Sequence, residues 1–429
     1  MSAASFLRKL IGGGSKDRRI EELIAHCNGL LAESGEYASM AIAGEALTAY
    51  KALDEKAREQ FFDIVARDYS PAPEVVASAA AAYQQDPSPE HLDALQVVVE
   101  PRRQELFRRL NMAPGGTVAL VEMRKTLLKG LRAHPHWKVI DADLRHLLRS
   151  WFNRGFLRLE RIDWHTSAMV LEKLIDYEAV HAIRGWWDLR RRLEHDRRCF
   201  AFFHPQLPDE PIIFIEVALT RGMSATVQPL LDKALPIGSP LSADCAMFYS
   251  ITNCQEGLRG ISFGNLLIKQ VAEELKREFP HLRRFATLSP IPGFRAWLDG
   301  ANINGEHKAL LERLKDPAWH QGEVPEALQK LLLRLCAYYL VNVKQGKEPL
   351  DAVARFHLGN GAALERLNWL GDTSEQGMAR SAGLMVNYVY WLGELERNHE
   401  AYFRHHQIAA SPAIEKLARE CPLPAKAAA

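Results

Sequence analysis

Phe248-Tyr-Ser-Ile-Thr-Asn-Cys-Gln-Glu-Gly-Leu-Arg-Gly-Ile-Ser-Phe-Gly-Asn-Leu-Leu-Ile-Lys269 runs from an apolar stretch through three glycines into an amphipathic pattern. Its start reads as a strand and its end as a helix, with Gly257, Gly260 and Gly264 in the connection. Glycines let the backbone come close to a ligand, and free N–H groups at a helix start attract phosphate oxygens. Arg259 and Ser262 would add side-chain donors. No Gly-Lys-Ser/Thr closes the loop, so it is not the phosphate loop of nucleoside triphosphatases. A tight strand-to-helix turn with no ligand accounts for the same glycines, and both readings stand at this point.

Outward from this stretch the pattern is mixed. Cys199-Phe-Ala-Phe-Phe203, Pro211 to Leu219, Ala246 to Ile251 and Arg284 to Leu288 read as short strands. Helical periods are expected over Asn265 to Phe279, Pro325 to Val343 and Met378 to Leu395. Strand, loop, helix and strand in succession predict an α/β arrangement over residues 151–429. Residues 1–150 differ. Ile20, Leu23, Ile24, Cys27, Leu30 and Leu31 fall at three-and-four spacing, as do Phe61, Phe62, Ile64 and Val65 in a segment starting near Asp54. Ser88-Pro89 has the form of a helix cap followed by proline at the first position. Pro101 is expected to end or kink that helix before a second piece carrying Leu106, Phe107 and Leu110, and Pro114-Gly115-Gly116 separates this piece from Val118 to Leu131. Short connections favour antiparallel neighbours, so the expected front is an all-α helical bundle. No fixed-period repeat suggests a solenoid.

The 429 residues carry 54 Lys plus Arg against 53 Asp plus Glu, a formal charge of +1. That balance argues against a protein that coats nucleic acid. No apolar run approaches the roughly 20 residues of a membrane helix. The six cysteines form no Cys-x-x-Cys pair and read as buried thiols of a reducing compartment. The basic start resembles a transit peptide only faintly, so a cytoplasmic protein is expected.

Several single residues carry chemistry. Glu216 lies inside an apolar strand, which fits an exposed edge, a partnering arginine or a site. The clusters Arg102-Arg103, Arg108-Arg109, Arg190-Arg191-Arg192 and Arg197-Arg198 are expected to be solvated faces paired with local acids. His399, His405 and His406 lack the spacing of a metal signature. His357 is followed after Leu358-Gly359 by Asn360-Gly361, and Ser289 at once by Pro290-Ile-Pro-Gly293. Neither would support a catalytic role if read singly.

Together these segments resemble the malonyl-CoA decarboxylase family. The resemblance rests on Asp209-Glu-Pro-Ile-Ile-Phe-Ile-Glu-Val-Ala-Leu-Thr220, on 248–269 as quoted, on Leu288-Ser-Pro-Ile-Pro-Gly-Phe294 and on Ala354-Arg-Phe-His-Leu-Gly-Asn-Gly-Ala362. Leu367-Asn-Trp-Leu-Gly-Asp-Thr-Ser374 and Ser381-Ala-Gly-Leu-Met-Val-Asn-Tyr388 complete it. It covers nearly all of the back part, and the helical front fits the family's N-terminal domain more loosely.

The resemblance implies a helical oligomerisation domain over 1–150 and a catalytic domain of GCN5-related N-acetyltransferase-like (GNAT-like) α/β fold over 151–429. That fold's coenzyme A pyrophosphate loop falls on Arg259, Gly260, Ile261, Ser262, Phe263, Gly264 and Asn265. Arg259-Gly-Ile-Ser-Phe-Gly264 departs from the common Arg/Gln-x-x-Gly-x-Gly/Ala spacing, so the loop's role carries over but not individual hydrogen bonds. The family's catalytic serine and histidine fall on Ser289 and His357, with serine described as proton acceptor and histidine as donor.

The implied reaction converts malonyl-CoA to acetyl-CoA and carbon dioxide through a thioester enolate protonated at C2. Preorganised donors to the enolate oxygen typically contribute ~3–4 kcal/mol each. A histidine with an ordinary pKa of about 6.5 would supply the proton near neutrality. No metal and no prosthetic group is expected, because the thioester is the electron sink. Malonyl-CoA and acetyl-CoA are the expected partners, with a homo-oligomer and without nucleic acid or membrane. A CoA-dependent acyltransferase and a non-catalytic CoA-sensing scaffold are the alternatives.

Overall fold

A computed structural model of the chain describes residues 15–261, 267–303 and 305–423. These fall into two compact units. One runs up to Leu157 and adds His204–Glu210 and the segment beginning at Gln255; the other holds Arg158–Phe203, Pro211–Cys254 and the remainder. The coarse fold class is the expected one, a helical N-terminal part and a mixed α/β part.

The helical unit contains α1 (Ser15–Ala32), α2 (Glu36–Lys51), α3 (Glu55–Asp68), α4 (Pro73–Gln85), α5 (Pro89–Val99), α6 (Arg102–Asn111), α7 (Gly116–Gly130) and α8 (Lys138–Trp151). Helix starts follow the local chemistry. Asp54 accepts the Ala57 N–H and Ser88 accepts the His91 N–H, each capping the first turn of its helix. Ile20, Leu23, Cys27 and Leu30 form the buried stripe of α1, and Leu106, Phe107, Leu120 and Leu144 are buried on later helices. Gly257 belongs to this unit and has a packing reason to be glycine. A Cβ there would stand 2.0 Å from the Val121 carbonyl oxygen of α7. Arg124 fixes the same point by donating to the Gly257 carbonyl at 2.6 Å.

The second unit is built on an eight-stranded sheet of β1 (Arg158–Ile162), β2 (Arg197–Phe203), β3 (Ile213–Thr220), β4 (Cys245–Asn253), β5 (Arg284–Thr287), β6 (Ser289–Pro290), β7 (Ala363–Asn368) and β8 (Met385–Val389). β1 to β4 form an antiparallel meander. β4 and β5 are parallel, and they pair only from Cys245 with Arg284 to Phe248 with Thr287. The Leu288 N–H gives the last bond, to the Phe248 carbonyl at 2.9 Å. Beyond it β4 continues beside β3 alone, while Ser289 and Pro290 pair with Val386 and Met385 of β8. The two chains therefore diverge after four residues.

Two expectations are corrected. The helix expected from Met378 to Leu395 is a helix Glu375–Ser381, then β8, then a helix Leu395–His405. Ala382 and Gly383 both take positive φ (51° and 75°) and stop the first helix. Every residue of β8 is buried, so it shows no two-residue alternation to betray a strand. The arginine clusters are not uniformly solvated faces. Arg103, Arg191, Arg192, Arg197 and Arg198 are buried, and acids distant in sequence hold several of them, such as Asp143 on Arg103 and Glu278 on Arg198.

The divergence is secured by Asn387 of β8, which is fully buried. Its Nδ2 donates to the Thr287 carbonyl at 2.7 Å and the Ser224 carbonyl at 3.2 Å. Its Oδ1 accepts from Arg366 at 3.0 Å and Asn368 at 2.9 Å. Asn387→Leu keeps the volume and strands these groups, so it is expected to cost about 2–4 kcal/mol in urea unfolding.

Candidate active site

The divergence of β4 and β5 opens a cavity of about 260 Å³. One wall is β4 from Phe248 to Ile251 with Asn253; the others are Leu288–Pro290, Val180, and Ala352, Val353, Phe356 and His357 of the helix Ala352–Gly359. Tyr249 is the extra residue of a bulge in β4: Glu216 pairs with Ser250 and Val217 with Phe248, leaving Tyr249 without a partner on β3.

Ser289 and His357, 68 residues apart, meet here with Oγ and Nε2 2.9 Å apart. Each is held from behind. Ser289 sits on a strand paired with β8, and its hydroxyl donates to Thr287 Oγ1 at 2.8 Å. His357 rides a helix capped by Asp351, whose carboxyl accepts the Ala354 N–H at 2.8 Å. Asn360 and Gly361 end that helix; Gly361 has φ 82°, and a Cβ on it would strike the Leu395 carbonyl. The Tyr388 ring stacks on the imidazole at 4.5 Å, and Nδ1 lies 2.7 Å from the Tyr390 hydroxyl.

Donor accounting orders the chain of bonds. Ser289 gives its one hydrogen to Thr287, so its oxygen accepts from His357 Nε2–H. Nδ1 is then bare and accepts from Tyr390 O–H. This assigns the tautomer from the network. Burial pushes His357 down to about 3, so the resting imidazole is neutral. That corrects the expectation of an ordinary histidine titrating near neutrality. Burial also pushes the Tyr390 phenol well above its usual value, which keeps it a hydrogen-bond donor.

A second buried group braces the β4 wall. Glu178 accepts from Ser250 Oγ at 2.8 Å, from Thr252 Oγ1 at 3.1 Å and from the Val180 and His181 N–H groups at 2.7 and 2.9 Å. It ties the strand to the segment carrying Val180. Glu216 proves to be the arginine-paired case, with Oε2 2.6 Å from Arg192, and it does not line the cavity. Burial pushes its carboxyl upward against the pull of Arg192. His399 bonds the Gly359 carbonyl and His406 faces Glu348, so these histidines serve separate partners.

Of the expected pyrophosphate loop, Arg259 and Gly260 are exposed, Gly260 has φ 76° and Ile261 is buried. Ser262, Phe263, Gly264 and Asn265 lie outside the described residues. The sequence reading missed Thr287, Tyr390, Glu178 and Asn387. Tyr390 and Asn387 were hidden by the strand taken for a helix; the run Met385-Val-Asn-Tyr-Val-Tyr390, β-branched and aromatic, was the available signal.

Residues 155–428 match the malonyl-CoA decarboxylase C-terminal domain and residues 69–152 the malonyl-CoA decarboxylase N-terminal domain. Mitochondrial malonyl-CoA decarboxylase of Anser anser anser is 38% identical over 354 residues, 75% of this chain and 70% of that protein. The Rattus norvegicus enzyme of the same name is 38% identical over 357 residues, 76% of this chain and 73% of that protein. The crystal structure of malonyl-CoA decarboxylase from Rhodopseudomonas palustris superposes with a TM-score of 0.89 at 49% identity, over 92% of this chain and 99% of that one. The Agrobacterium vitis structure gives 0.86 at 47% identity, over 93% and 99%. The chain belongs to the malonyl-CoA decarboxylase family.

Proposed function

We propose that this chain decarboxylates malonyl-CoA to acetyl-CoA and carbon dioxide, with Ser289 and His357 as the reacting pair. The observation that carries the assignment is the 2.9 Å contact between them inside a largely apolar cavity at the fork of the sheet. In such a place hydrogen bonds act with little competition from water.

The reaction consumes one proton, since malonyl-CoA loses a carboxylate and gains a C2 hydrogen. His357 is neutral at rest. An anionic carboxylate brought beside it favours the charged imidazolium and raises its pKa toward neutrality. Loss of carbon dioxide removes that anion and leaves a thioester enolate. His357 then transfers its Nε2 proton to C2, directly or through the Ser289 hydroxyl, and returns to the neutral form that its burial favours. With substrate bound, the Ser289 hydroxyl turns its one hydrogen from Thr287 to the developing charge. The proton taken up sits on Nδ1, the Tyr390 hydroxyl turns to accept from it, and Nε2–H faces the substrate. The thioester is the electron sink, and the chemistry calls for no metal or prosthetic group.

We assign the coenzyme A pyrophosphate to the loop Arg259–Asn265, supported by the exposed, left-handed Gly260. The helical domain is assigned to self-association. Neither α4 nor α5 buries a single residue, and Val75, Leu92, Val97 and Val99 stand exposed, Val97 at 74%. No helix among the described residues is long and apolar enough to cross a membrane. The cytoplasm is the compartment we propose, in keeping with six free thiols; the mitochondrial label belongs to the goose and rat relatives.

Incubation with malonyl-CoA and no acceptor tests the activity. Acetyl-CoA and carbon dioxide are expected in equal amounts; free CoA without acetyl-CoA would favour an acyltransferase, and binding without turnover a sensor. Ser289→Ala and His357→Ala should each lower kcat about 10²–10⁴-fold, and Tyr390→Phe about tenfold through one lost hydrogen bond. Full turnover in both of the first two variants would refute the assignment. For the oligomer, Val97→Asp with Val99→Asp should lower the sedimentation coefficient, while an unchanged value would exclude α5 from the interface.

A further inference from the structure

The helical unit gathers a second set of ligating side chains unconnected with decarboxylation. Glu59 and Asp63 stand one turn apart on α3, and His134-Pro135-His136 forms the turn between α7 and α8. His136 Nε2 lies 2.7 Å from Asp63 Oδ1, and His134 Nε2 lies 3.7 Å from Glu59 Oε1. Ligand atoms of Asp63, His134 and His136 all fall within 4.8 Å of one another.

We propose that these residues bind a divalent first-row transition metal ion, with zinc the best fit. Two imidazoles and one or two carboxylates suit zinc better than magnesium or calcium, which prefer oxygen alone. Zinc–ligand bonds of about 2.1 Å put tetrahedral donors roughly 3.4 Å apart. The observed separations bracket that value, so small side-chain rotations close the site. An ion would replace the proton that His136 now shares with Asp63.

The surroundings hold the donors in place, as metal sites require. Trp137 Nε1–H donates to Asp63 Oδ1 at 2.7 Å, orienting the carboxylate. The same indole stacks on His134 at 4.1 Å with the planes 7° apart. Trp137 also packs against the buried Phe62, with ring centroids 5.1 Å apart. The ligands themselves are open to solvent: the His134, His136, Asp63 and Glu59 side chains are 28%, 55%, 44% and 45% exposed, which leaves an entry path.

The plain alternative is two half-exposed hydrogen-bonded His–carboxylate pairs with no affinity for metal. Calorimetric titration of the chelator-stripped full chain with zinc chloride separates the two. The expected result is about one equivalent bound, with affinity lowered at least tenfold in His136→Ala and again in Glu59→Gln with His136→Ala. Cobalt(II) should give visible d–d absorption without thiolate charge transfer, since no cysteine takes part. His136 is exposed and Glu59 lies outside the Trp137 stack, so both variants should fold, as far-ultraviolet circular dichroism can verify. Binding unchanged in the double variant, thiolate charge transfer, or no binding at about 0.1 mM metal would each overturn the proposal.

Discussion

β4 and β5 share hydrogen bonds over four residues and then part, and the geometry of the candidate site depends on that parting. A parallel pair that ends early leaves polar backbone edges facing a gap, and such groups must find other partners. Here the strand from Arg284 to Pro290 turns its bonding to β8, while β4 stays with β3. Asn387 holds one arm by the Thr287 carbonyl, and Glu178 holds the other by Ser250 and Thr252. Ser289 lies two residues beyond the fork. Its position is thereby fixed by sheet pairing, and His357 is brought to it by a short helix capped at Asp351 and stopped at Gly361.

The same enclosure sets the chemistry. A cavity walled by Phe248, Ile251, Leu288 and Phe356 disfavours charge, which is why the His357 imidazole rests neutral. An exposed histidine would exchange its proton with water whether or not substrate was present. In the proposed cycle the proton is taken up with the malonyl carboxylate and given to carbon once that anion has left as carbon dioxide. Tyr390 and Thr287 stand at the two ends of the bonded chain and fix the orientation of the imidazole and the Ser289 hydroxyl.

Much of this was legible in the residues, and the remainder was hidden for physical reasons. The strands read at 199–203, 211–219 and 246–251 stood out because runs of β-branched and aromatic residues are too short for helices. β8 did not, because a strand buried on both faces loses its alternation and Met385-Val-Asn-Tyr-Val resembles part of a helix. Ser289 and His357 were singled out by resemblance, since a serine before proline and a lone histidine carry no signal of their own. The perturbation of His357 could not be read at all: burial is a property of the assembled cavity. Glu178 and Arg192 were equally opaque, because their partners come from other strands. Gly257 looked like part of a ligand loop, yet its missing Cβ makes room for the Val121 carbonyl of its own chain.

The central claim is that the fork between β4 and residues 288–290 receives the malonyl group. A structure of the chain with a non-decarboxylating malonyl thioester analogue of coenzyme A bound tests it most directly. A malonyl or thioester oxygen is expected within hydrogen-bonding distance of Ser289 Oγ or His357 Nε2, inside the cavity. A malonyl group seated elsewhere, with the Ser289–His357 contact undisturbed and the cavity unfilled, would contradict it.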